Sequence, residues 1–367
     1  MSIANATPRV TIRELAKHLG LSHATVSMAL RDHPLIAMKT KRLVREEACR
    51  RGYRPEPMLS ALAAYRQMKK PPTYHGTLAW LFNNVSQTQL FSTPLFKLYF
   101  DGACTKANSL GFKVEPFHLN DSDMTPGRAS DILLSRGIQG VLLAPQLKPN
   151  SQLNMRWEWF SAVTFGYTLT RPQLHLVCST QYRIGMSITQ KLQELGYQRI
   201  GFFGSENFDQ RTDRNFTAGY YTASMNVPQS RRIPPLLTDI GDSDEIIHTK
   251  IREWVTHWKV DAVVCVSGMH FVLQEAGFQI PRDFAVALLC QQPEYPDFAG
   301  MDEQGFLIGG AAVDMLVGMI HRGERGVPPT PYRLLIEGKW RDGNSAPAAN
   351  AKKQQLARAG KTALART

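Results

Sequence analysis

From Thr77 the sequence alternates short apolar runs with amphipathic stretches, and this alternation restricts the chain to few folds. TLAWLFN (77–83), FKVEPFHL (112–119), IQGVLLAP (138–145), SAVTFGY (161–167), LHLVCS (174–179), RIGFFG (199–204) and FAVALLC (284–290) read as strands. Between them, LFKLYFDGACTKANSLG (95–111), GRASDILLSRG (127–137), RIGMSITQKLQELG (183–196) and FTAGYYTASM (216–225) read as helices. Apolar strands joined by crossover helices predict parallel sheets covered by helices on both faces. More than 260 residues of this pattern exceed one ordinary sheet, so two lobes are expected. In open parallel sheets ligands sit at the carboxyl ends of strands, and two facing lobes form a cleft there.

Charge separates the ends from this body. Residues 1–75 hold 14 basic and 5 acidic side chains, residues 76–343 hold 24 and 26, and residues 344–367 hold 5 and none. A compact basic head on a near-neutral body points to a polyanionic partner for the head. The Ala/Lys/Arg-rich segment 344–367 reads as a disordered basic tail. No apolar run reaches the ~18 residues of a membrane span, and the N-terminus has no long apolar region for secretion, so a cytoplasmic protein without membrane partner is expected. The five cysteines, Cys49, Cys104, Cys178, Cys265 and Cys290, form no CxxC pair or zinc spacing and read as buried reduced thiols. No metal or cofactor is expected. G-x-S-x-G, P-loop and G-x-G-x-x-G motifs are absent, the acidic residues form no catalytic pair, and the chain does not read as an enzyme.

The head reads as three helices. In TIRELAKHL, Thr11 is an N-cap with Glu14 three residues on, a capping box, and Ile12, Leu15, Ala16 and Leu19 fall at helical spacing. Gly20 ends that helix, Leu21 plugs the turn, and Ser22 caps a second helix whose buried face is Val26, Ala29 and Leu30. A third, from about Met38 to Arg51, turns Leu43, Val44 and Ala48 inward. This is the pattern of a helix-turn-helix, whose second helix enters the major groove of DNA. Its outward residues are His23, Ala24, Ser27 and Met28. His23 can hydrogen-bond a base edge, while Ala24 and Met28 can make only apolar contact. Thr11, Ser22, Thr25, Ser27, Arg31 and Thr40, with Tyr53, are the candidates for holding phosphates.

Residues 10–57 resemble the lactose-repressor (LacI/GalR) family of bacterial transcription regulators. The residues carrying the resemblance are Val10, Thr11, Ala16, Gly20, Leu21, Ser22, Thr25, Val26 and Ser27, then Lys39, Thr40, Arg42, Gly52, Tyr53 and Pro55. It assigns base reading to His23, Ala24 and Met28, the last standing where family members usually have arginine. It also implies a hinge helix from Pro57 to about Ala64, with Leu62 wedged into the minor groove; Glu56 and Leu59 replace the usual Asn and Ala. Leu59 and Leu62 packing hinge against hinge, or against the body, is the alternative.

The resemblance continues through ITQKLQELGYQRIGFFG, VDAVVCVSG, LQEAGFQIPRDFAVALL and LLIEGKWRDGNS. It implies a body like the periplasmic sugar-binding proteins, with three crossovers between lobes. The expected division is 1–56 DNA-binding, 57–76 hinge and linker, 77–343 effector-binding and dimerisation. Lobe 1 is placed at about 77–176 and 300–328, lobe 2 at about 177–299 and 329–343. The residues that clamp sugars in relatives are mostly replaced. Phe216 stands at the usual arginine, with Arg214 the nearest one; Ser267-Gly268 replace an Asn-Asp pair; Cys290, Gln291 and Gln292 replace an aspartate region. Strand-end candidates for an effector such as a sugar are Phe82, Asn83, Gln146, Phe165, Tyr167, Arg214, Ser267, His270 and Gln291. The expected function is a homodimeric regulator on a pseudo-palindromic double-stranded DNA operator, modulated by a small polar effector. The alternative is a constitutive DNA-binding protein whose body only dimerises.

Overall fold

The computed structural model describes residues 10–30, 36–53, 76–119, 124–239 and 241–350. The head comprises α1 (Ile12–Leu19), α2 (His23–Leu30) and α3 (Met38–Arg50). The body opens with β1 (Gly76–Phe82), α4 (Gln87–Phe91), α5 (Pro94–Ser109), β2 (Phe112–His118), α6 (Pro126–Ser135), β3 (Gly140–Leu143), β4 (Ser151–Gln152), β5 (Ser161–Phe165), β6 (Leu169–Arg171) and β7 (His175–Ser179). It continues with α7 (Gln181–Glu194), β8 (Ile200–Ser205), α8 (Glu206–Arg211), α9 (Asn215–Ser224), β9 (Leu236–Thr238), α10 (Asp244–Trp258), β10 (Ala262–Cys265), α11 (Met269–Glu275), β11 (Ala285–Leu288) and β12 (Ala299–Asp302). It closes with α12 (Gly305–Arg322), β13 (Arg333–Ile336) and β14 (Lys339–Arg341).

Two six-stranded sheets result, ordered β13-β7-β5-β3-β1-β2 and β14-β12-β11-β10-β8-β9. Every pairing in them is parallel except that of β12 with β14. The orders are equivalent: in each sheet the first strand lies between the second and the third, so each lobe has its own topological switch point. Alternate residues of each strand feed opposite faces. Leu78, Trp80 and Phe82 of β1 enter one core cluster, Ala79 and Leu81 the other. In the second lobe Phe202 and Val264 face one side, Phe203 and Val263 the other. The central apolar runs are therefore strands buried on both faces, while β2 at the sheet edge is only partly buried.

The chain does cross between lobes three times, but not at the expected residues. The whole of β7 pairs in the first sheet, so the first crossing follows Ser179, beyond the expected 176. β12 pairs with β11 and belongs to lobe 2, although 300 was assigned to lobe 1. β13 pairs with β7 and belongs to lobe 1, although 329 was assigned to lobe 2. Both strands are four residues long. Which sheet such a strand joins is fixed by a partner distant in the chain, which local patterning does not carry.

Two helix pairs cross at glycine contacts. A Cβ on Gly102 of α5 would lie 2.0 Å from the Phe306 carbonyl oxygen of α12, and one on Gly309 of α12 only 1.9 Å from that of Tyr99. In lobe 2, α7 and α9 meet in the same way through Gly185 and Gly219, with 2.2 and 2.1 Å to opposing carbonyls. α12 is the one helix among the described residues long and apolar enough to cross a membrane. Its apolarity serves this packing, because Ile308, Ala312, Val313 and Leu316 are all fully buried in the lobe 1 core.

Two further expectations are corrected. Residues 344–350 are not a free tail but dock on lobe 2. Ser345 donates to the Val286 carbonyl and accepts from the Ala299 amide at 2.6 and 2.9 Å, and the Tyr197 hydroxyl donates to the Pro347 carbonyl at 2.5 Å. Residues 351–367 lie outside the described residues. All five cysteines are free, but Cys49 is exposed and Cys104 half-buried; only Cys178, Cys265 and Cys290 sit in the core.

Candidate functional site

The head is built on local rules. Thr11 Oγ1 accepts from the Glu14 amide at 3.3 Å while Glu14 Oε2 accepts from the Thr11 amide at 2.7 Å, closing the capping box. Gly20 adopts the left-handed conformation at φ 63°, and its amide donates to the Ala16 carbonyl. Ser22 Oγ accepts from the Thr25 amide at 3.0 Å and starts α2. Leu15, Ala16, Val26, Ala29, Val44 and Ala48 form the head core. Leu43 does not join it and is 49 % exposed. In its place α3 buries Lys41 and Glu47. Glu47 accepts from Arg50 and Arg51 and lies 3.2 Å from His18 Nε2 on α1. Those hydrogen bonds, Arg50 foremost, pull its pKa down to about 2 and tie α3 to α1.

With that core satisfied, α2 leaves His23 and Ala24 exposed and Met28 half-buried. Thr11 and Ser22 are exposed, and Thr25, Ser27 and Thr40 half-buried. Tyr53 packs against the head core, and its partial burial raises its phenol pKa. Arg31, and the hinge segment with Leu62, lie outside the described residues.

The body carries a cavity of about 220 Å³ between its lobes. Lobe 1 contributes Phe96, Tyr99, Gln146, Phe165 and Tyr167; lobe 2 contributes Phe208, Arg211, Thr212, Phe216 and Ser267. Gln181 and Glu303 line it from two of the crossings. A larger, more open cavity of about 690 Å³ adjoins it, sharing Leu95, Cys290, Gln292 and Glu303. Aromatic walls with a few amides and hydroxyls suit a small polar molecule with an apolar face.

Of the nine effector candidates, Gln146, Phe165, Tyr167 and Ser267 line the cavity. Asn83 stands behind it, donating to Gln146 Oε1 at 2.8 Å, and Gln146 donates in turn to the Ala144 carbonyl. Gln291 lines the neighbouring cavity. Phe82 is core, its ring stacked on His118 with centroids 4.6 Å apart. His270 is also fully buried, against Phe271, Tyr295 and Phe298, and burial lowers its pKa to about 4. Arg214 does not line the cavity and pairs with Glu206 at 3.0 Å and Asp209 at 4.0 Å.

Sequence reading missed Arg211, Gln181 and Glu303. Arg211 is the last residue of α8, a short helix capped by Ser205 directly after β8. Ser205 before that run was the available signal. Glu303 follows β12 at the second crossing and accepts from the Ser179 hydroxyl at the first. Burial raises the pKa of Glu303 and also those of Tyr99, Cys178 and Cys290, its neighbours.

No family model matches the sequence, and no curated protein matches it at a significant level. Solved structures do match its fold. The transcriptional regulator CelR in complex with cellobiose aligns over 92% of this chain and 100% of its own, with TM-score 0.56 and 20% identity. The lac repressor dimer bound to operator and the anti-inducer ONPF aligns over 93% and 100%, with TM-score 0.51 and 15% identity. A LacI family regulator from Enterococcus faecium with bound ribose aligns over 74% and 99%, with TM-score 0.51 and 16% identity. A helical head followed by two matched parallel α/β lobes is thus the fold this chain shares with the LacI family of transcriptional regulators.

Proposed function

We propose that the chain is a sequence-specific DNA-binding transcriptional regulator of the LacI family. It acts in the cytoplasm as a homodimer on a pseudo-palindromic operator, modulated by a small polar effector held between the lobes. The reading rests foremost on α2, which follows a capped turn and exposes His23 and Ala24 from a head of net charge +9. Side chains at the start of such a helix reach base edges, and the surrounding Lys and Arg supply the sequence-independent attraction to phosphate. The inter-lobe cavity supports the effector part, as do the cellobiose and ribose bound by two structures of the same fold. A ligand that fits one lobe geometry better than another shifts the spacing of the two heads and so the affinity for DNA.

Selection of random duplexes by the purified full-length chain, followed by titration across salt, tests the DNA-binding part. A pseudo-palindromic consensus with a steep negative salt slope is expected. His23→Ala should flatten base preference at one position of each half-site, at about 1–3 kcal/mol. Binding that shows no consensus and disappears at moderate salt would overturn the reading.

A further inference from the structure

Among the described residues lining the 220 Å³ cavity, Arg211 is the only cation and Glu303 the only carboxyl. The two are not paired, and among the described residues no ion pair reaches Arg211. Its Nε is buried and has no hydrogen-bond partner. The acids that could have satisfied it are engaged elsewhere. Glu206 and Asp209, on the same short helix, are taken by Arg214, and Asp209 also accepts from Thr217 at 2.6 Å. Glu303 accepts from Ser179 and faces Cys290. Gln181 Oε1, in the same cavity, is a buried acceptor without a donor.

A half-buried guanidinium whose Nε is buried without a partner at the wall of a polar cavity is costly unless an anion completes it. An orphan amide oxygen lining the same cavity asks for a hydroxyl donor. Resting on the reading of this cavity as an effector site, we propose that its ligand is a small polyhydroxylated carboxylic acid of the sugar-acid class. Its carboxylate pairs with Arg211 and a hydroxyl donates to Gln181. One guanidinium matches one negative charge; a phosphate ester would bring nearly two into a space that already holds the Glu303 carboxyl. The volume, below the usual range of about 300–1,000 Å³ for drug-sized ligands, suits one sugar unit.

Thermal melts of the full-length chain test this with gluconate and galacturonate, their neutral counterparts glucose and galactose, and glucose 6-phosphate. The acids are expected to raise Tm by roughly 5–10 °C at concentrations about a hundredfold above Kd, and the neutral sugars much less. Arg211→Gln should weaken acid binding about a hundredfold while leaving the unliganded Tm equal or higher, because it removes a half-buried charge that no described residue pairs. Arg214→Gln should keep the acid response. Neutral sugars raising Tm as much as the acids, with Arg211→Gln without effect, would overturn the acid class and leave the effector reading standing. A larger response to the phosphate would overturn the single-charge match. A sharp fall in the unliganded Tm of Arg211→Gln would make Arg211 structural and sink the proposal. No response to any of the five compounds, nor to a metabolite mixture, would remove the effector reading with it.

Discussion

Two arginines three residues apart have opposite fates, and the difference lies in their neighbours. Arg214 is spent on Glu206 and Asp209, while Arg211 faces the cavity unpaired. Glu303 is the other residue whose surroundings set its chemistry. It is 3 % exposed and faces Tyr99, Cys290 and Asp302, none of which offers it a positive charge. Its folded pKa therefore lies above the ordinary 4.5, and the folded state holds its proton more tightly than the unfolded state does. The stability it contributes is complete below about pH 4.5 and is lost as pH rises through the raised value. Glu303→Gln keeps an acceptor for Ser179 and removes the titration. The Tm of the variant relative to the parent should rise as pH increases, with little difference in acid. A constant offset at every pH would show that the carboxyl is not the titrating group.

At the scale of elements, the close helix crossings decide what each lobe tolerates. Gly309 and Gly310 are adjacent on α12, yet a Cβ meets very different surroundings. At Gly309 it would strike the Tyr99 backbone at 1.9 Å, whereas at Gly310 the nearest atom is Lys106 Cβ at 3.7 Å. Gly309→Ala must push α5 and α12 apart and should cost about 1–3 kcal/mol or more. Gly310→Ala removes the helix penalty of glycine without a clash and should gain up to about 1 kcal/mol. Urea denaturation of the two variants should therefore give shifts of opposite sign; shifts of the same sign would mean that the crossing is looser than its geometry. The elements themselves were largely legible in the sequence, because capping boxes, glycine stops and apolar periodicity are local. The inward assignment of Leu43 failed because α3 turns Glu47 toward the head and satisfies it there with Arg50, Arg51 and His18, an arrangement that apolar periodicity does not register.

For the whole molecule, the proposed function makes DNA and effector affinities a coupled pair. If ligand changes operator Kd by some factor, operator must change ligand Kd by the same factor, typically about 5–150-fold. Titrating operator with and without a ligand that raises Tm, and ligand with and without operator, checks both sides of that equality. A stabilising ligand that leaves operator affinity unchanged would favour a body that serves only to dimerise. The crossings are where such coupling has material to act on: Ser179 bonds Glu303 across the first and second, and the Gln304 side chain donates to the Glu337 carbonyl at the third.

The sequence by itself determined the three-helix head, the exposed start of α2, the two parallel α/β lobes and four of the side chains that line their cavity. Those features follow from spacing within a few residues. Tertiary structure alone decided that Phe82 and His270 are core and do not line the cavity, that β12 and β13 join opposite lobes from those expected, and that residues 344–350 dock rather than trail. It also decided which arginine is left free. Each of these depends on a partner brought near by folding, whether a strand, a carbonyl or a carboxylate, and a pattern of neighbours along the chain carries no record of which partner arrives.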